Sequence, residues 1–458
     1  MSYAFTFDAK FCSGCKACQA ACKDKNDLPL GVLWRRVIEI SGGTWQQNGE
    51  AWTNTVFAYN LSIACNHCLH PKCAGVCPAD AYTVREDGII LLDTTKCMGC
   101  GYCAWACPYG APQYNPQAGT MTKCNFCFDN LEQGLPPACV AACPMRVLEY
   151  EEVTETTTNR LRLWEVASES HLYPLSPSSH TQPHLVIKPH AAMNTATEKH
   201  IANPEEIQLQ APSVRKEVPL ILFTLLTQMA VGTFWAMLWT FPHLWTLEQS
   251  ISLPQLLPLL LVGGCLGAGM LASFAHLGTK KRAWRALSNL RKSWLSREIL
   301  FTGLFGAGWL LSILAKTFWQ RGAVEWIGLT ATLGLGLVYS MSRVYQLPAI
   351  SAWNTRRTNL VFMVSTLLLG QSLMAVLLPH GSALPNNLIL ILLCLQLLLM
   401  RNWFPHSIRA GFILAGIILS AAGFFLPTAW LGMLIFLIVA AEEGIGRWQF
   451  YQAPNMSF

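Results

Sequence analysis

The chain has 458 residues, of which 52% are apolar, and its formal net charge is +6. The charge is unevenly divided, because residues 1–217 contain 17 basic and 21 acidic residues whereas residues 218–458 contain 15 basic and 5 acidic ones. The apolar content excludes a disordered chain. Because the basic excess lies between apolar segments, it also argues against nucleic-acid binding. The pattern therefore predicts an acidic soluble half joined to an apolar half with basic loops.

Cysteine is concentrated in the acidic half, where 16 of the 18 cysteines lie between Cys12 and Cys143. The first thirty residues lack a basic start followed by an apolar core, so we expect no secretory signal peptide. Clustered cysteines in a chain without an export signal are typical of metal binding rather than of disulfide bonds.

These cysteines form four groups with regular spacing, and a proline follows the last cysteine of three of them. The groups are Cys12, Cys15, Cys18 and Cys22; Cys65, Cys68, Cys73 and Cys77; Cys97, Cys100, Cys103 and Cys107; and Cys124, Cys127, Cys139 and Cys143. Three cysteines at two-residue spacing can wrap three irons of a cubane cluster. Zinc ribbons instead use pairs of cysteines separated by a longer gap. The spacing predicts four [4Fe–4S] clusters and disfavours zinc.

The order of the groups also predicts which cysteines share a cluster. In two-cluster ferredoxins the last cysteine of each run binds the other cluster. Applied to the two middle groups and then to the two outer ones, this rule gives four ligand sets: Cys12, Cys15, Cys18 and Cys143; Cys124, Cys127, Cys139 and Cys22; Cys65, Cys68, Cys73 and Cys107; and Cys97, Cys100, Cys103 and Cys77. We expect His67 and His70 not to be ligands, because each group already has four cysteines. They should lie next to a cluster or at the surface.

Three domains follow from the change in composition. Residues 1–150 are predicted to hold the clusters, residues 151–217 to form an extended wrap and linker, and residues 218–458 to anchor the chain in a membrane. The wrap contains five histidines without metal-like spacing, which we expect to be solvated: His171, His180, His184, His190 and His200. The predicted fold is an α+β duplicated ferredoxin-like four-cluster domain, followed by an all-α transmembrane bundle of about eight helices.

The anchor contains eight apolar segments, and about 20 apolar residues span a bilayer as a helix. The segments are 218–240, 253–277, 297–316, 324–343, 358–379, 386–400, 409–426 and 428–444. With eight spans, the loops and tail on the iron–sulfur side carry thirteen Lys and Arg, whereas the opposite side carries two, Lys316 and Arg321. Because basic loops face the cytoplasm, we expect a multi-pass inner-membrane protein with a cytoplasmic iron–sulfur domain.

Ionisable residues are costly at a membrane boundary unless they are paired or functional. Several lie at segment ends on the iron–sulfur side: His276, Glu298, Arg343, Tyr345, Glu442, Glu443 and Arg447. A quinol must lose two protons as it gives up two electrons, which requires a base such as His or Glu. We predict a quinol site with His276 and Glu298 as its main residues. Arg343, Tyr345, Glu443 and Arg447 are weaker candidates, because interfacial anchoring by Arg and an ion pair between Glu443 and Arg447 explain them equally well.

A haem-bearing anchor is the obvious alternative, but it would need facing histidines within the spans. The four histidines of the anchor lie near segment ends or in loops, so no haem is expected: His243, His276, His380 and His406.

Residues 1–207 resemble the electron-transfer subunit of the dimethyl sulfoxide reductase family. The shared motifs are CSGCKACQAACKD, FAYNLSIACNHCLHPKCAGVCP, KCMGCGYCAWACPYGAPQYN, MTKCNFC and CVAACP. Residues 218–458 resemble the membrane-anchor subunit of the same complex, through SFAHLGTKKRAW, SREI, SRVYQLPAISAWNT and EEGIGRWQFY. The chain departs from the family pattern because carrier and anchor are fused and because the last spans are short.

The resemblance implies a complex with a separate catalytic subunit that carries a molybdopterin cofactor. It also implies an anchor that oxidises menaquinol without haem, and it places the quinol-site His and Glu of the family at His276 and Glu298. Some relatives replace the second cysteine of the third group and hold a three-iron cluster there, but this chain has Cys100 at that position.

The predicted function is that of a non-catalytic electron-transfer and anchor subunit with a quinol-oxidising site. Electrons from menaquinol in the bilayer would pass through the clusters to the molybdopterin subunit of an anaerobic respiratory enzyme. Two alternatives remain open. The same clusters could carry electrons in reverse, from a formate- or sulfur-compound-oxidising subunit to the quinone pool. A ferredoxin-driven transporter is the other, and it predicts ionisable residues at mid-membrane.

Overall fold

The computed structural model describes residues 2–154, 175, 180–194, 214–241, 253–319, 323–377, 383–400, 407–423 and 429–452. The N-terminal half is a ferredoxin-like α+β region of short strands and short helices. Its strands are β1 Tyr3–Asp8, β2 Arg36–Gly42, β3 Trp45–Asn48, β4 Ala51–Asn54, β5 Phe57–Ile63, β6 Tyr82–Val84, β7 Ile90–Leu92, β8 Gln113–Asn115, β9 Thr120–Thr122, β10 Leu148–Glu152 and β11 Leu185–Lys188. Its helices are α1 Ala17–Lys25, α2 Lys72–Val76, α3 Tyr102–Ala106, α4 Phe128–Leu131 and α5 Ala138–Ala141.

The largest sheet of this half has three strands in the order β10-β1-β11, with β10 antiparallel and β11 parallel to β1. Phe5 and Phe7 of β1 are buried, and the ring of Phe5 stacks on that of Phe126 at 4.1 Å. Part of the segment predicted as a wrap thus adds a strand to the core. The expectation of solvated histidines is wrong for His184, which is 8% exposed beside that strand, whereas His171 and His200 lie outside the described residues.

The Cys-Pro pairs decide where two of the short helices end. Helices α2 and α3 stop immediately before Cys77 and Cys107, whose ψ angles are 116° and 114°. A residue before proline is sterically excluded from the helical region and adopts an extended conformation. The chain therefore leaves each helix sharply at the last cysteine of its group.

The C-terminal half is helical. Its described residues form eight long helices: α6 Val214–Thr240, α7 Leu253–His276, α8 Trp294–Leu314, α9 Ala323–Tyr345, α10 Arg356–Leu377, α11 Ala383–Met400, α12 Ser407–Ala422 and α13 Ala429–Gln452. Among the residues that the structure describes, five segments are long and apolar enough to cross a membrane: Glu217–Thr240, Leu256–His276, Trp294–Phe318, Val324–Tyr345 and Arg356–Leu377. Many of their large apolar side chains are exposed, as expected for a membrane-embedded region.

Small residues allow a very close contact between α6 and α10. A Cβ atom added at Gly232 would lie 1.9 Å from the carbonyl oxygen of Thr366, and one added at Gly370 would lie 2.0 Å from the carbonyl carbon of Gly232. Glycine at both positions lets the two backbones touch, which is typical of helix packing in membranes.

Replacing Gly232 by alanine is expected to lower the free energy of unfolding of the bundle by about 1–3 kcal/mol, because the added methyl group forces the two helices apart. The measurement is detergent unfolding of the full chain followed by circular dichroism. Gly264→Ala is the matched control, because a Cβ atom at Gly264 meets no heavy atom within 4 Å. Equal stability of the two variants would contradict the close contact.

Candidate functional site

The fold brings the cysteines together across the sequence groups. Cys12, Cys15, Cys18 and Cys143 line one cavity of the N-terminal half. A second cavity is lined by Cys65, Cys68, Cys73 and Cys107. Cys77 lies within electrostatic reach of Cys97, Cys100 and Cys103, and Cys22 lies within reach of Cys124, Cys127 and Cys139. In all four cases the cysteine that completes the set comes from another group.

These sites have the chemistry that an iron–sulfur cluster requires. Burial raises the pKa of Cys22 to about 12 and that of Cys107 to about 11, so these thiolates need a cation to offset their lost hydration. Backbone N–H groups already point at sulfur: Gly99 and Met121 each donate to Cys97 Sγ at 3.4 Å. Within the described residues, no three His, Cys, Asp or Glu side chains could hold a single metal ion.

Buried cations surround the cysteine cavities, and the sequence reasoning missed them. Arg35 is 2% exposed and lies among cysteines of both outer groups, with its guanidinium 4.4 Å from the ring of Phe5. Lys123 is 4% exposed and donates to the carbonyl oxygen of Cys124 at 2.9 Å. A positive charge near a cluster of negative thiolates stabilises its reduced form. Arg35 lies in a largely apolar stretch of the sequence, whereas Lys123 has polar neighbours and gave no such signal.

The two histidines of the second group differ. His67 is 1% exposed, and its Nδ1 accepts a hydrogen bond from the backbone N–H of Ile90 at 3.0 Å. Burial lowers the pKa of His67 well below its usual value, which keeps the ring neutral. His70 is exposed at the surface.

The iron–sulfur half docks on the bundle through the connection between α7 and α8. Asn289 and Ser293 donate side-chain hydrogen bonds to the carbonyl oxygens of Cys77 and Val76, at 2.9 and 2.7 Å. Arg282 donates to the carbonyl oxygen of Cys97 at 3.0 Å. The second and third cysteine groups therefore face the membrane half.

A cavity of about 180 Å³ lies at this junction. His276 from the end of α7, Glu298 from α8 and Tyr345 from the end of α9 line it together. Cys100 lines the same cavity from the iron–sulfur half. Three of the predicted quinol residues and one predicted cluster ligand thus share one space, whose other walls are mostly apolar.

Glu217 is a site residue that the sequence reasoning missed. It begins the apolar part of α6, is 7% exposed, and places Oε2 3.9 Å from Nε2 of His276. The predicted linker ends at this residue. Its signal was an acidic residue at the boundary of the first apolar segment.

The structure places the other weaker candidates outside the cavity, as far as the described residues show. Arg343 lies over the ring of Trp294 at 5.1 Å and donates to Gln346. Glu442, Glu443 and Arg447 lie within α13, which continues past them to Gln452. Phe450 and Tyr451 in its last turn are buried, and Tyr451 packs against Trp105 of the iron–sulfur half. Arg321, His243, His380 and His406 lie outside the described residues.

The N-terminal half contains cysteine-lined cavities and docks on a membrane-embedded helical half. This combination defines a class of protein, the membrane-anchored iron–sulfur electron carriers. Comparison with known families agrees in both halves. Residues 56–153 match the 4Fe-4S dicluster domain, and residues 213–423 match the DMSO reductase anchor subunit (DmsC).

Curated relatives resemble the iron–sulfur half. The B subunit of anaerobic dimethyl sulfoxide reductase and YnfG, a probable subunit of the same kind of enzyme, both come from Escherichia coli K12. Each is 45% identical over 207 residues, which is 45% of this protein and 98% of the relative. The formate dehydrogenase iron-sulfur subunit of Wolinella succinogenes is 37% identical over 166 residues, 31% of this protein and 78% of its own length. The protein belongs to the dimethyl sulfoxide reductase family, as an iron–sulfur electron-transfer subunit fused to its anchor.

Proposed function

We propose that this chain oxidises menaquinol in the cavity at the junction of its two halves and delivers the electrons to a molybdopterin-containing catalytic subunit. The observation that carries the proposal is that His276, Glu298 and Cys100 line the same cavity. A quinol head group held there would have bases for its protons and a cluster ligand on the same wall to receive its electrons. When bound, iron–sulfur clusters supply one-electron transfer over the length of the domain.

We propose four [4Fe–4S] clusters with the nested ligand sets. The two cavities each lined by four cysteines support this number, and so do the electrostatic neighbours of Cys77 and Cys22. In the proposed arrangement the set with Cys100 borders the junction cavity, and the set with Cys15 has an exposed member.

We propose that all eight long helices cross the inner membrane and that the iron–sulfur half lies in the cytoplasm. An even number of crossings agrees with the two ends of the bundle, since Glu217 near the start of α6 and Tyr451 at the end of α13 both lie close to the cavity residue Tyr345. The excess of basic residues on the same side supports the orientation.

The test is anaerobic mixing of the purified full chain with a reduced menaquinone analogue while the cluster absorption band is recorded. We expect the quinol to bleach the cluster absorption rapidly. Clusters with potentials at or above that of the menaquinone couple should be reduced as fully by the quinol as by dithionite. Bleaching by dithionite but not by quinol would contradict quinol oxidation by this chain.

Reverse electron flow is the second candidate, and the similarity to a formate dehydrogenase subunit favours it. Potentiometric titration separates the two directions. Cluster potentials below that of the menaquinone couple would favour delivery of electrons into the quinone pool, whereas potentials at or above it favour quinol oxidation.

A further inference from the structure

We propose that a set of neighbouring buried polar side chains, with water between its hydrogen-bonded pairs, conducts protons from the quinol cavity to Glu443 inside the helical bundle. The set, named here the polar belt, consists of Glu217, Tyr345, Tyr451, Arg447, Gln228 and Glu443. The inference rests on the proposed quinol oxidation and assigns a route to the protons that this reaction releases.

The belt begins at the cavity wall. Tyr345 lines the cavity, and its hydroxyl is hydrogen-bonded to the hydroxyl of Tyr451. Glu217 connects to the same point, because it faces His276 at 3.9 Å and lies within electrostatic reach of both tyrosines. A proton taken up by His276 therefore has an adjacent carboxylate and a pair of bonded hydroxyl groups beside it.

Arg447 forms the middle of the belt. Its Nη2 donates to Gln228 Oε1 at 2.7 Å, and its guanidinium lies 4.0 Å from the ring of Phe362. The same charge acts on Tyr345 and Tyr451 on one side and on Glu443, one helical turn away, on the other. Arginine does not release its proton in proteins. It can hold water or a hydroxyl group by hydrogen bonds between the tyrosines and the carboxylate.

The belt ends at Glu443, which is 2% exposed. Its two oxygens accept hydrogen bonds from Ser365 Oγ at 2.7 Å and Gln396 Nε2 at 2.9 Å. The charged groups that face it are Glu442 and Arg447 on its own helix and Arg409 from α12. Arg409 donates to Glu442 at 2.6 Å. Helices α6, α10 and α11 contribute the neutral groups of Gln228, Ser365 and Gln396.

Packing alone does not account for this arrangement. Removing charged groups from water costs several kcal/mol per ion, and apolar residues of similar volume often stabilise a fold as well or better. Ionisable groups inside membrane bundles accordingly mark ion and proton pathways. Here two carboxylates and two guanidinium groups balance in charge. Protonation of Glu443 leaves one excess positive charge while Glu442 remains paired with Arg409, and this excess favours onward release of the proton.

The chemistry balances with the proposed clusters as electron acceptor and water as final proton acceptor, since Glu443 holds one proton at a time and must release it before the next arrives. Oxidation of one quinol breaks two O–H bonds and releases two electrons and two protons. The electrons leave on the side of Cys100, and the protons pass to His276 and Glu217 and onward along the belt. Protonation of Glu443 converts its carboxylate to the acid, which still accepts the hydrogen bonds of Ser365 and Gln396.

The test uses Tyr451→Phe and Glu443→Gln in the full chain. Tyr451→Phe retains the ring that packs near Trp105, whereas it removes the bridging hydroxyl. We expect each variant to slow quinol-driven cluster reduction by about tenfold or more. The solvent deuterium isotope effect on this rate should rise, because proton transfer becomes limiting. Dithionite reduction and iron content should remain at the wild-type level.

Matched controls are Tyr339→Phe and Glu325→Gln, since both residues have exposed side chains on α9. Both variants should oxidise quinol at the wild-type rate. Wild-type rates and isotope effects in Tyr451→Phe and Glu443→Gln would overturn the polar belt while leaving the quinol site intact. Failure of the unmodified chain to oxidise quinol would instead remove the proposed function. If Glu443→Gln does not fold, Tyr451→Phe alone decides.

Discussion

Replacing His276 by alanine is expected to lower the rate of quinol-driven cluster reduction by about 100-fold or more, because the quinol loses the base that accepts its first proton. His276 lies on the cavity wall together with Glu298 and Cys100. The clusters themselves should be unaffected, since no cysteine is changed. The measurement is stopped-flow bleaching of the cluster absorption by a reduced menaquinone analogue.

Two controls isolate the effect on the quinol reaction. Dithionite should reduce His276→Ala and the wild-type chain to the same extent, with equal iron content. His70→Ala should behave as wild type, because His70 is exposed on the iron–sulfur half. A wild-type rate of electron entry in His276→Ala would remove this histidine from the mechanism.

Paired cysteine substitutions are expected to change the iron content in steps that reveal the ligand sets. The wild-type chain should bind about sixteen irons, and each of Cys12→Ala, Cys22→Ala and Cys124→Ala should lose up to about four. The double variant of Cys22 and Cys124 should lose no more iron than either single-substitution variant, because both cysteines belong to one proposed set. The double variant of Cys12 and Cys22 should lose about eight, because the nested pairing separates them.

Iron analysis of the intact chain, together with paramagnetic resonance of the reduced clusters, measures these losses. Cys394→Ala is the control, since Cys394 is exposed on α11 and belongs to no group. A loss of only about four irons in the Cys12 and Cys22 double variant would assign both cysteines to one cluster and contradict the nested pairing.

The basic connection between α7 and α8 bears on both the predicted membrane orientation and the docking of the two halves. In the sequence, its lysines and arginines count toward membrane orientation. In the structure, Arg282 also donates to backbone oxygens of Thr94 and Cys97 in the iron–sulfur half. Arg282 of this basic connection therefore takes part in docking the two halves.

Local chemistry was readable from the sequence alone. The spacing of the cysteines identifies the cofactor class, because three of the ligands of a cluster can lie within one short loop. The Cys-Pro pairs predict sharp exits, and α2 and α3 end before Cys77 and Cys107 for that steric reason. The apolar segments likewise predict a membrane-embedded half, since hydropathy depends on composition over about 20 neighbouring residues.

Only the tertiary structure decided which distant groups meet. Glu217 faces His276 because α6 packs beside α7, and no periodicity in either helix encodes that contact. The packing of α13 carries Glu443 and Arg447 away from the cavity and into the bundle, where Gln228, Ser365 and Gln396 receive them. The sequence determined the cofactor class and the half that is membrane-embedded, because those are properties of neighbouring residues. The surroundings of each buried charge depend on helices far apart in the chain, so the fold had to decide them.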